Sequence, residues 1–194
     1  HAGNHTEIHI MSSKSDFREA ILQRVLPVEA TDSNVLFRIG DYNGDGYTDL
    51  YMIKKQVGNH TEIHVLDGSN EFQTFLLQKP LPVEATDSTT DFEVGDYNGD
   101  GKDDLYMIKK QVAGKTEVHV MKAKNEFSDF YFQGATSLPS LDDNWEFGVS
   151  DYDNDGKGDL YCINKNGKYK TTVEVLSASK GYKDILLYSY TPIE

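Results

Sequence analysis

Short runs in which apolar and polar residues alternate follow one another along the whole chain, and no long stretch shows the 3.6-residue period of a helix. In one representative stretch we predict four strands, at residues 91–94, 104–110, 116–122 and 127–133. Clusters of Gly and Asn separate these runs, as turns between strands require. The pattern therefore predicts an all-β fold built from short antiparallel strands.

The same pattern recurs with a period of 55 residues and without insertion or deletion. Asp41, Asp96 and Asp151 are separated by this step, and so are many apolar and histidine positions. A unit of four strands that repeats in this way predicts the blades of a β-propeller. A flat solenoid is the alternative architecture.

The repeat divides residues 1–194, which we interpret as a single propeller domain or propeller fragment, into a half blade and three full blades. We place the half blade at 1–34 and the full blades at 35–89, 90–144 and 145–194. The half blade matches only the third and fourth strands of a unit, which leaves an open strand edge. We expect either a second copy of the chain or a further chain segment to close the ring.

An acidic loop with the pattern D-x-[ND]-x-D-G-x-x-D lies between the first two strands of each full unit. Oxygen ligands at alternate positions suit a hard cation such as Ca²⁺, and the main-chain carbonyl at the seventh position adds another oxygen. The predicted ligands are Asp41, Asn43, Asp45, Tyr47 and Asp49, then Asp96, Asn98, Asp100, Lys102 and Asp104, then Asp151, Asp153, Asp155, Lys157 and Asp159. We predict about three Ca²⁺ ions per chain, with a structural role.

Two other interpretations of the acidic loops are less consistent with the sequence. An EF-hand needs a Glu at position twelve, but that position holds Met52, Met107 or Cys162 in strand-like runs. A hairpin turn without metal would bring four carboxylate or amide groups together three times with no compensating cation. The loops therefore favour a calcium site carried by a β-hairpin.

The segments FRIGDYNGDGYTDLYMI, FEVGDYNGDGKDDLYMI and FGVSDYDNDGKGDLYCI resemble FG-GAP/VCBS repeats, and the resemblance covers essentially the whole chain. It implies a calcium-bearing β-propeller like those of integrin heads, of a fungal lectin, and of modules attached to secreted hydrolases. The calcium motif is specific, but the family includes adhesion modules, sugar binders and a few enzymes. The resemblance therefore implies a fold more firmly than a function.

Candidate ligand-binding residues lie on the third strands and in the loops between units. Residues two apart on a strand share a face, so His60, Glu62 and His64 project together. Two His and one Glu would suit Zn²⁺, whereas polar packing between blades and hydrogen bonding to a ligand between blades are the other interpretations. The candidate ligand residues are Glu62, His64, Asp87, Glu117, His119, Asp142 and Trp145.

Three of these candidates, Asp87, Asp142 and Trp145, lie near the first strand of a unit. Asp87 and Asp142, with Asp32 at the same repeat position, either cap turns or bind a ligand hydroxyl. Trp145 is the only tryptophan and does not recur in the other units, so a core role and a ligand role both fit it.

Composition narrows the function further. The formal net charge of −13 disfavours nucleic acid and anionic membranes as partners. No run of 18 apolar residues exists, so we predict no membrane insertion. The sequons at 4–6 and 59–61 favour secretion. No G-x-S-x-G, H-E-x-x-H or P-loop motif is present, so we predict a protein that is not an enzyme.

The leading hypothesis is a secreted, calcium-stabilised propeller that binds carbohydrate, as a lectin or as a cell-wall-targeting module does. Repeated blades would give several equivalent weak sites for a glycan, and avidity would follow from them. A propeller for adhesion or protein interaction is the alternative. A third hypothesis is an accessory or catalytic part of a polysaccharide-active enzyme, because carboxylate pairs are abundant.

Overall fold

The computed structural model describes residues 4–166 and 170–190, so the last residues of the predicted blade 145–194 lie outside the described part. It confirms an all-β fold, in which the other regular elements are short 3₁₀ turns. No helix among the described residues has the length and apolar character needed to cross a membrane. The strands are β1 (His5–Met11), β2 (Ala20–Glu29), β3 (Val35–Gly40), β4 (Asp49–Val57), β5 (His60–Leu66), β6 (Phe75–Glu84), β7 (Thr90–Gly95), β8 (Asp104–Val112), β9 (Lys115–Met121), β10 (Phe130–Pro139), β11 (Trp145–Ser150), β12 (Asp159–Asn164), β13 (Thr172–Leu176) and β14 (Ile185–Tyr190).

The described strands form four antiparallel sheets. Strands β3 to β6, β7 to β10 and β11 to β14 each make a four-stranded sheet in chain order, and β1 with β2 makes a two-stranded sheet. The first strand of the middle sheet, β7, contacts both β3 and β11. The first strands therefore lie side by side, as the inner strands of neighbouring blades do. Closure of a ring and the division into blades remain predictions.

Buried apolar layers join each sheet to the next, because alternate residues of a strand point to opposite faces. In β4, Leu50 and Met52 pack towards the β1–β2 sheet, whereas Tyr51 and Ile53 pack towards the sheet of β7 to β10. The layer between the last two sheets repeats this arrangement, with Tyr106 and other buried residues of β8 and β9 on one side. Both faces of an internal sheet are thus apolar.

The fourth strand of a unit begins later than the sequence pattern predicted. Strand β10 begins at Phe130, so the predicted strand at 127–133 was wrong at its start. Phe127 has a positive φ of 58°, and its amide donates a hydrogen bond to the carbonyl of Lys122 at 2.8 Å. The segment after the 3₁₀ turn Ala123–Asn125 therefore closes a tight turn, which directs the Phe127 ring inward.

One aromatic position that recurs every 55 residues shows how the neighbouring sheet determines the burial of a side chain. Phe72 is 5% exposed, and Phe127 and Tyr182 are fully buried, because each packs against the preceding sheet. Phe17 occupies the same repeat position in the β1–β2 sheet and is 67% exposed. The β1–β2 sheet therefore presents an apolar outer face that no described sheet covers.

Candidate metal and ligand sites

The first acidic loop folds around the carboxylate of Asp41. Its Oδ1 atom accepts hydrogen bonds from the amides of Gly44 at 2.7 Å and Asp45 at 3.2 Å, and Oδ2 accepts one from Gly46 at 2.8 Å. Gly44 and Gly46 have φ values of 77° and 84°, which glycine adopts without a steric penalty. The other two loops bond in a similar way around their first aspartates, Asp96 and Asp151.

The ninth position of each loop holds a buried carboxylate that joins the acidic loop to a distant turn. Asp104 is 2% exposed, and it accepts hydrogen bonds from the amides of Tyr97 at 3.3 Å and Ala123 at 2.8 Å. Asp49 and Asp159 make the corresponding pair of bonds in their own units. Sequence reasoning missed this link because the second donor lies 19 residues further along the chain.

Each of these buried carboxylates has an unfavourable electrostatic environment. Burial raises the pKa of Asp104 to about 7, and the two amide hydrogen bonds only partly oppose that rise. The pKa values of Asp49 and Asp159 are also raised by burial, with a further contribution from other aspartates of their loops. A divalent cation would neutralise this clustered negative charge, so the electrostatics fit a metal ion.

The third loop brings carboxylate oxygens into ligating range. Asp151, Asp153 and Asp159 each offer an oxygen, and these atoms lie within 4.8 Å of one another. Asn43 and Asn98 replace the second of these carboxylates in the other loops and supply an amide oxygen instead. An oxygen-only donor set is what Ca²⁺ prefers, so the residues present fit that ion.

The remaining predicted metal ligands lie in the same loops. The side chains at the fifth position, Asp45, Asp100 and Asp155, accept hydrogen bonds from the seventh-position amides of Tyr47, Lys102 and Lys157. These bonds fix the backbone that carries the seventh-position carbonyls. The structure therefore collects all fifteen predicted ligands into three compact loops, one for each four-stranded sheet.

The His and Glu candidates on β5 form a polar ladder. The Glu62 carboxylate contacts Nε2 of His60 at 3.0 Å and Nε2 of His64 at 3.2 Å, and Nδ1 of His64 contacts Nε2 of Gln78 at 3.3 Å. Burial is the main cause that lowers the pKa of His64, which favours a neutral ring. Among the described residues these donors do not converge on one point, so the arrangement does not favour Zn²⁺.

The second copy of this ladder is closely similar. On β9, Nε2 of His119 lies 3.1 Å from Glu117, and Nδ1 of His119 lies 3.2 Å from Nε2 of Gln133. In the last sheet the paired positions hold Glu174 and Tyr188 instead. The relay from Glu through His to Gln is therefore a property of the earlier units.

A cavity of about 380 Å³ lies where the β1–β2 sheet meets the next sheet. Its lining includes His64, Phe75 and Gln78 from β5 and β6, together with Asp32 from the loop before β3 and Lys54 from β4. The cavity lies at the start of β3, and the acidic loop follows the end of that strand. No residue of the first acidic loop, 41–49, lines this cavity.

A smaller cavity of about 230 Å³ lies at the next sheet junction, lined by residues that include Thr86, Asp87, Thr89 and Lys109. Asp87 accepts hydrogen bonds from the amide of Thr89 at 2.8 Å and from its hydroxyl at 2.6 Å, so it caps its own turn. These bonds lower the pKa of Asp87. Asp87 thus combines a turn-capping role with a place in the cavity wall.

The last two candidate residues have surroundings of other kinds. Asp142 accepts hydrogen bonds from the backbone amide of Asn144 at 3.0 Å and its side-chain amide at 2.9 Å, which lower its pKa. Trp145 is half-buried and packs against the apolar layer between the last two sheets. Neither residue lines the two cavities described above, so a ligand role for them stays a prediction.

Comparisons with known proteins identify the repeat. The sequence profile described as "FG-GAP-like repeat" matches residues 41–107, which contain the first two acidic loops. No curated protein sequence matches the chain. Among solved structures, the V. cholerae biofilm matrix protein Bap1 is similar with a TM-score of 0.38 and 13% sequence identity, over 98% of this chain and 36% of that chain. The chain thus spans little more than a third of the length of that protein.

Proposed function

We propose that this chain, whose residues 41–107 carry an FG-GAP-like repeat, is a calcium-stabilised, non-catalytic binding domain that takes carbohydrate in the cavities between its sheets. We also propose that it works outside the cell. Asn4 and Asn59, the acceptor residues of the two sequons, are both exposed and therefore accessible to glycosylation.

The cavity lined by His64 is the observation that carries the carbohydrate proposal. A sugar offers an apolar CH face and several hydroxyls, so its site needs an apolar or aromatic surface beside hydrogen-bonding groups. Phe75 supplies a ring, and Gln78, His64 and Asp32 supply donors and acceptors around the same space. The volume of about 380 Å³ lies in the range of small-ligand sites.

The acidic loops have a different role in this proposal. The oxygens of Asp41, Asp96 and Asp151 and of the other loop ligands would hold Ca²⁺, which neutralises the clustered carboxylates and cross-links each loop. Because no residue of an acidic loop lines the His64 cavity, the ion would not contact the sugar. Calcium therefore acts on stability, and it affects sugar affinity only through the fold.

Titration of a glycan panel against paired variants tests the carbohydrate proposal. His64→Ala and Gln78→Ala remove polar groups from the cavity wall, and each should weaken glycan binding about tenfold. His9→Ala and Gln23→Ala are matched controls, because they occupy the same repeat positions in the β1–β2 sheet and do not line that cavity. Absence of glycan binding, or equal losses in the control variants, would contradict the proposal.

Calcium-dependent protein interaction is the second candidate function, and the exposed aromatic residues of the acidic loops favour it. Tyr47 and Tyr152 are both exposed large side chains in these loops, and exposed aromatics are common anchors at protein interfaces. If this function is correct, Tyr47→Ser abolishes capture of a protein partner, whereas His64→Ala has no effect on it. The two functions therefore depend on different residues, Tyr47 in the acidic loop and His64 in the cavity wall.

A further inference from the structure

The inner edge of the two-stranded sheet has no partner strand among the described residues. Strand β1 pairs with β2 alone, whereas β5 and β9, which occupy the same repeat position, each pair with strands on both sides. The sequence of β1, HTEIHIM, contains no Pro or Lys, the residues that commonly block an edge strand. The backbone groups of this edge are therefore available to pair with another strand.

An apolar cavity of about 660 Å³ borders this edge. Ile8 and Ile10 of β1 line it, together with Leu22, Ile39 and Phe72. One repeat further along, the counterparts Ile63, Val65 and Phe127 share a buried layer with Tyr51 and Ile53 of the neighbouring strand β4. The cavity thus corresponds to the place where the side chains of a second strand lie in a complete sheet.

The tyrosine of the second strand makes a specific bond to the following sheet. The hydroxyl of Tyr51 donates to the carbonyl of Asp103 at 2.8 Å, and that of Tyr106 donates to the carbonyl of Gly158 at 3.0 Å. Thr48, which also lines the 660 Å³ cavity, occupies the same repeat position as these two acceptors. No tyrosine hydroxyl of the described residues donates to the carbonyl of Thr48.

Aromatic packing between the sheet of β3 to β6 and the sheet of β7 to β10 shows which side chains would fill this cavity. The rings of Tyr42 and Tyr51 lie 5.5 Å and 6.2 Å from the ring of Phe127, measured between centroids. Phe72 is the counterpart of Phe127 and lies in the wall of the cavity. The cavity therefore has room and partners for two tyrosine side chains at this spacing.

We propose that the β1 edge and this cavity bind a two-stranded β-hairpin of a partner polypeptide, with the sequence character of the first half of this repeat. Its second strand pairs with β1, its Tyr-x-Ile side chains fill the cavity over Phe72, and its tyrosine donates to the carbonyl of Thr48. Main-chain pairing provides affinity and the side-chain pockets provide specificity, as in other strand-addition complexes. This inference does not depend on the carbohydrate proposal.

A labelled synthetic peptide with the sequence of residues 35–57 is a direct probe, because it carries the first two strands of a unit with Tyr51 and Ile53. Titrated with the full chain in calcium-containing buffer, it should bind saturably at one site and protect the amides of β1 from hydrogen exchange. Tyr51→Phe in the peptide should weaken binding about fivefold, because one hydrogen bond is lost. Ile53→Asp in the peptide should abolish binding.

Two variants of the full chain distinguish peptide binding in the cavity from nonspecific association with exposed apolar residues. Ile39 lines the cavity and is 66% exposed, so Ile39→Asp should leave the fold intact and weaken peptide binding at least about tenfold. Ile21 is 69% exposed and does not line it, so Ile21→Asp is the matched control and should bind normally. Equal losses in the two variants, or protection that does not include β1, would overturn the proposal.

The free peptide can fail to bind simply because it is unfolded. A fusion of the same hairpin to the chain avoids this problem, because the hairpin is then held close to β1. A copy of residues 35–57 placed directly before Gly3 reproduces the natural junction of Val57 with Gly58. The extended chain should melt at least about 5 °C higher, and a copy with Ile53→Asp should not. Equal melting temperatures for the two fusions would overturn the proposal, as would a chain dimer that uses the β1 edge and excludes the peptide.

Discussion

The carboxylate of Asp104 accepts a hydrogen bond from the amide of Ala123, with Oδ1 and N separated by 2.8 Å. The bond joins the acidic loop before β8 to the 3₁₀ turn after β9, and its counterparts occur in the other two four-stranded sheets. The ninth loop position therefore has two tasks, since the same carboxylate belongs to the predicted metal site and stabilises the turn.

The turn-stabilising task can be measured without metal. Asp104→Ala removes both acceptor oxygens and leaves the backbone amides of Tyr97 and Ala123 without this partner. At pH 5 a carboxyl with a pKa of about 7 is mostly neutral, so no buried charge is relieved, and we expect a loss of about 2–3 kcal/mol in the free energy of unfolding, measured with urea in calcium-free buffer. Glu19→Ala, at an exposed position, is the control. If both variants unfold at the same urea concentration, the bond contributes nothing.

Calcium removal should destabilise the chain. A ligand that binds only the native state adds about 2.7 kcal/mol per site at a concentration of 100 times Kd. We therefore expect EDTA to lower the melting temperature, excess Ca²⁺ to restore it, and Mg²⁺ to restore less of it because Mg²⁺ retains its water ligands. A melting curve that is identical with and without EDTA would count against metal sites in the acidic loops.

The inner strands carry a second buried charge, at Glu93. Arg38 contacts the Glu93 carboxylate at 2.8 Å and that of Asp91 at 3.1 Å, yet burial raises the pKa of Glu93 from 4.5 to about 7. A folded pKa above the unfolded value means that the folded state binds the proton more tightly. The stability due to Glu93 is therefore present at low pH and is lost as the pH rises from about 4.5 to about 7.

Glu93→Gln tests this pH dependence. At pH 5 the native residue is mostly protonated and resembles Gln, so the variant and the native chain should have similar stability. At pH 8 the native chain has to bury a carboxylate, so the variant should gain about 2 kcal/mol relative to it. Parallel stability curves over this pH range would show that Glu93 is not the group responsible.

A close approach at Gly158 gives the last prediction. A Cβ atom there would lie 2.5 Å from the Tyr106 hydroxyl and 2.9 Å from the carbonyl oxygen of Asp96. Gly158→Ala should therefore break the Tyr106 bond and cost about 2–3 kcal/mol by chemical denaturation. Gly148→Ala is the control, because a Cβ atom at Gly148 meets nothing within 4 Å. Similar losses in both variants would contradict the steric explanation.

Much of the fold could be predicted because the repeat is regular. The same repeat position holds a leucine in all three full units, and each of these side chains is buried on the face towards the preceding sheet. They are Leu50, Leu105 and Leu160. The start of β10 could not be predicted from alternation, because the left-handed backbone at Glu126 and Phe127 depends on turn hydrogen bonds. An alternating pattern shows which side chains turn inward but not where pairing begins.

The candidate site was predictable only in part. The spacing within each loop placed Asp96, Asn98 and Asp104 together, because all the ligands lie within nine residues. The 380 Å³ cavity combines Asp32, Lys54 and Gln78, which are brought together by the packing of one sheet on the next. Such a wall depends on the separation of two sheets, which no local pattern specifies.

The different exposure of Phe17 and its buried counterpart Phe127 has a consequence for how such a chain can change in length. Every four-stranded sheet has one kind of face for its predecessor and another for its successor. An in-frame tandem duplication of 55 residues would therefore insert a sheet that already fits both neighbours. Each added unit would contribute its own buried residues and one new junction between sheets.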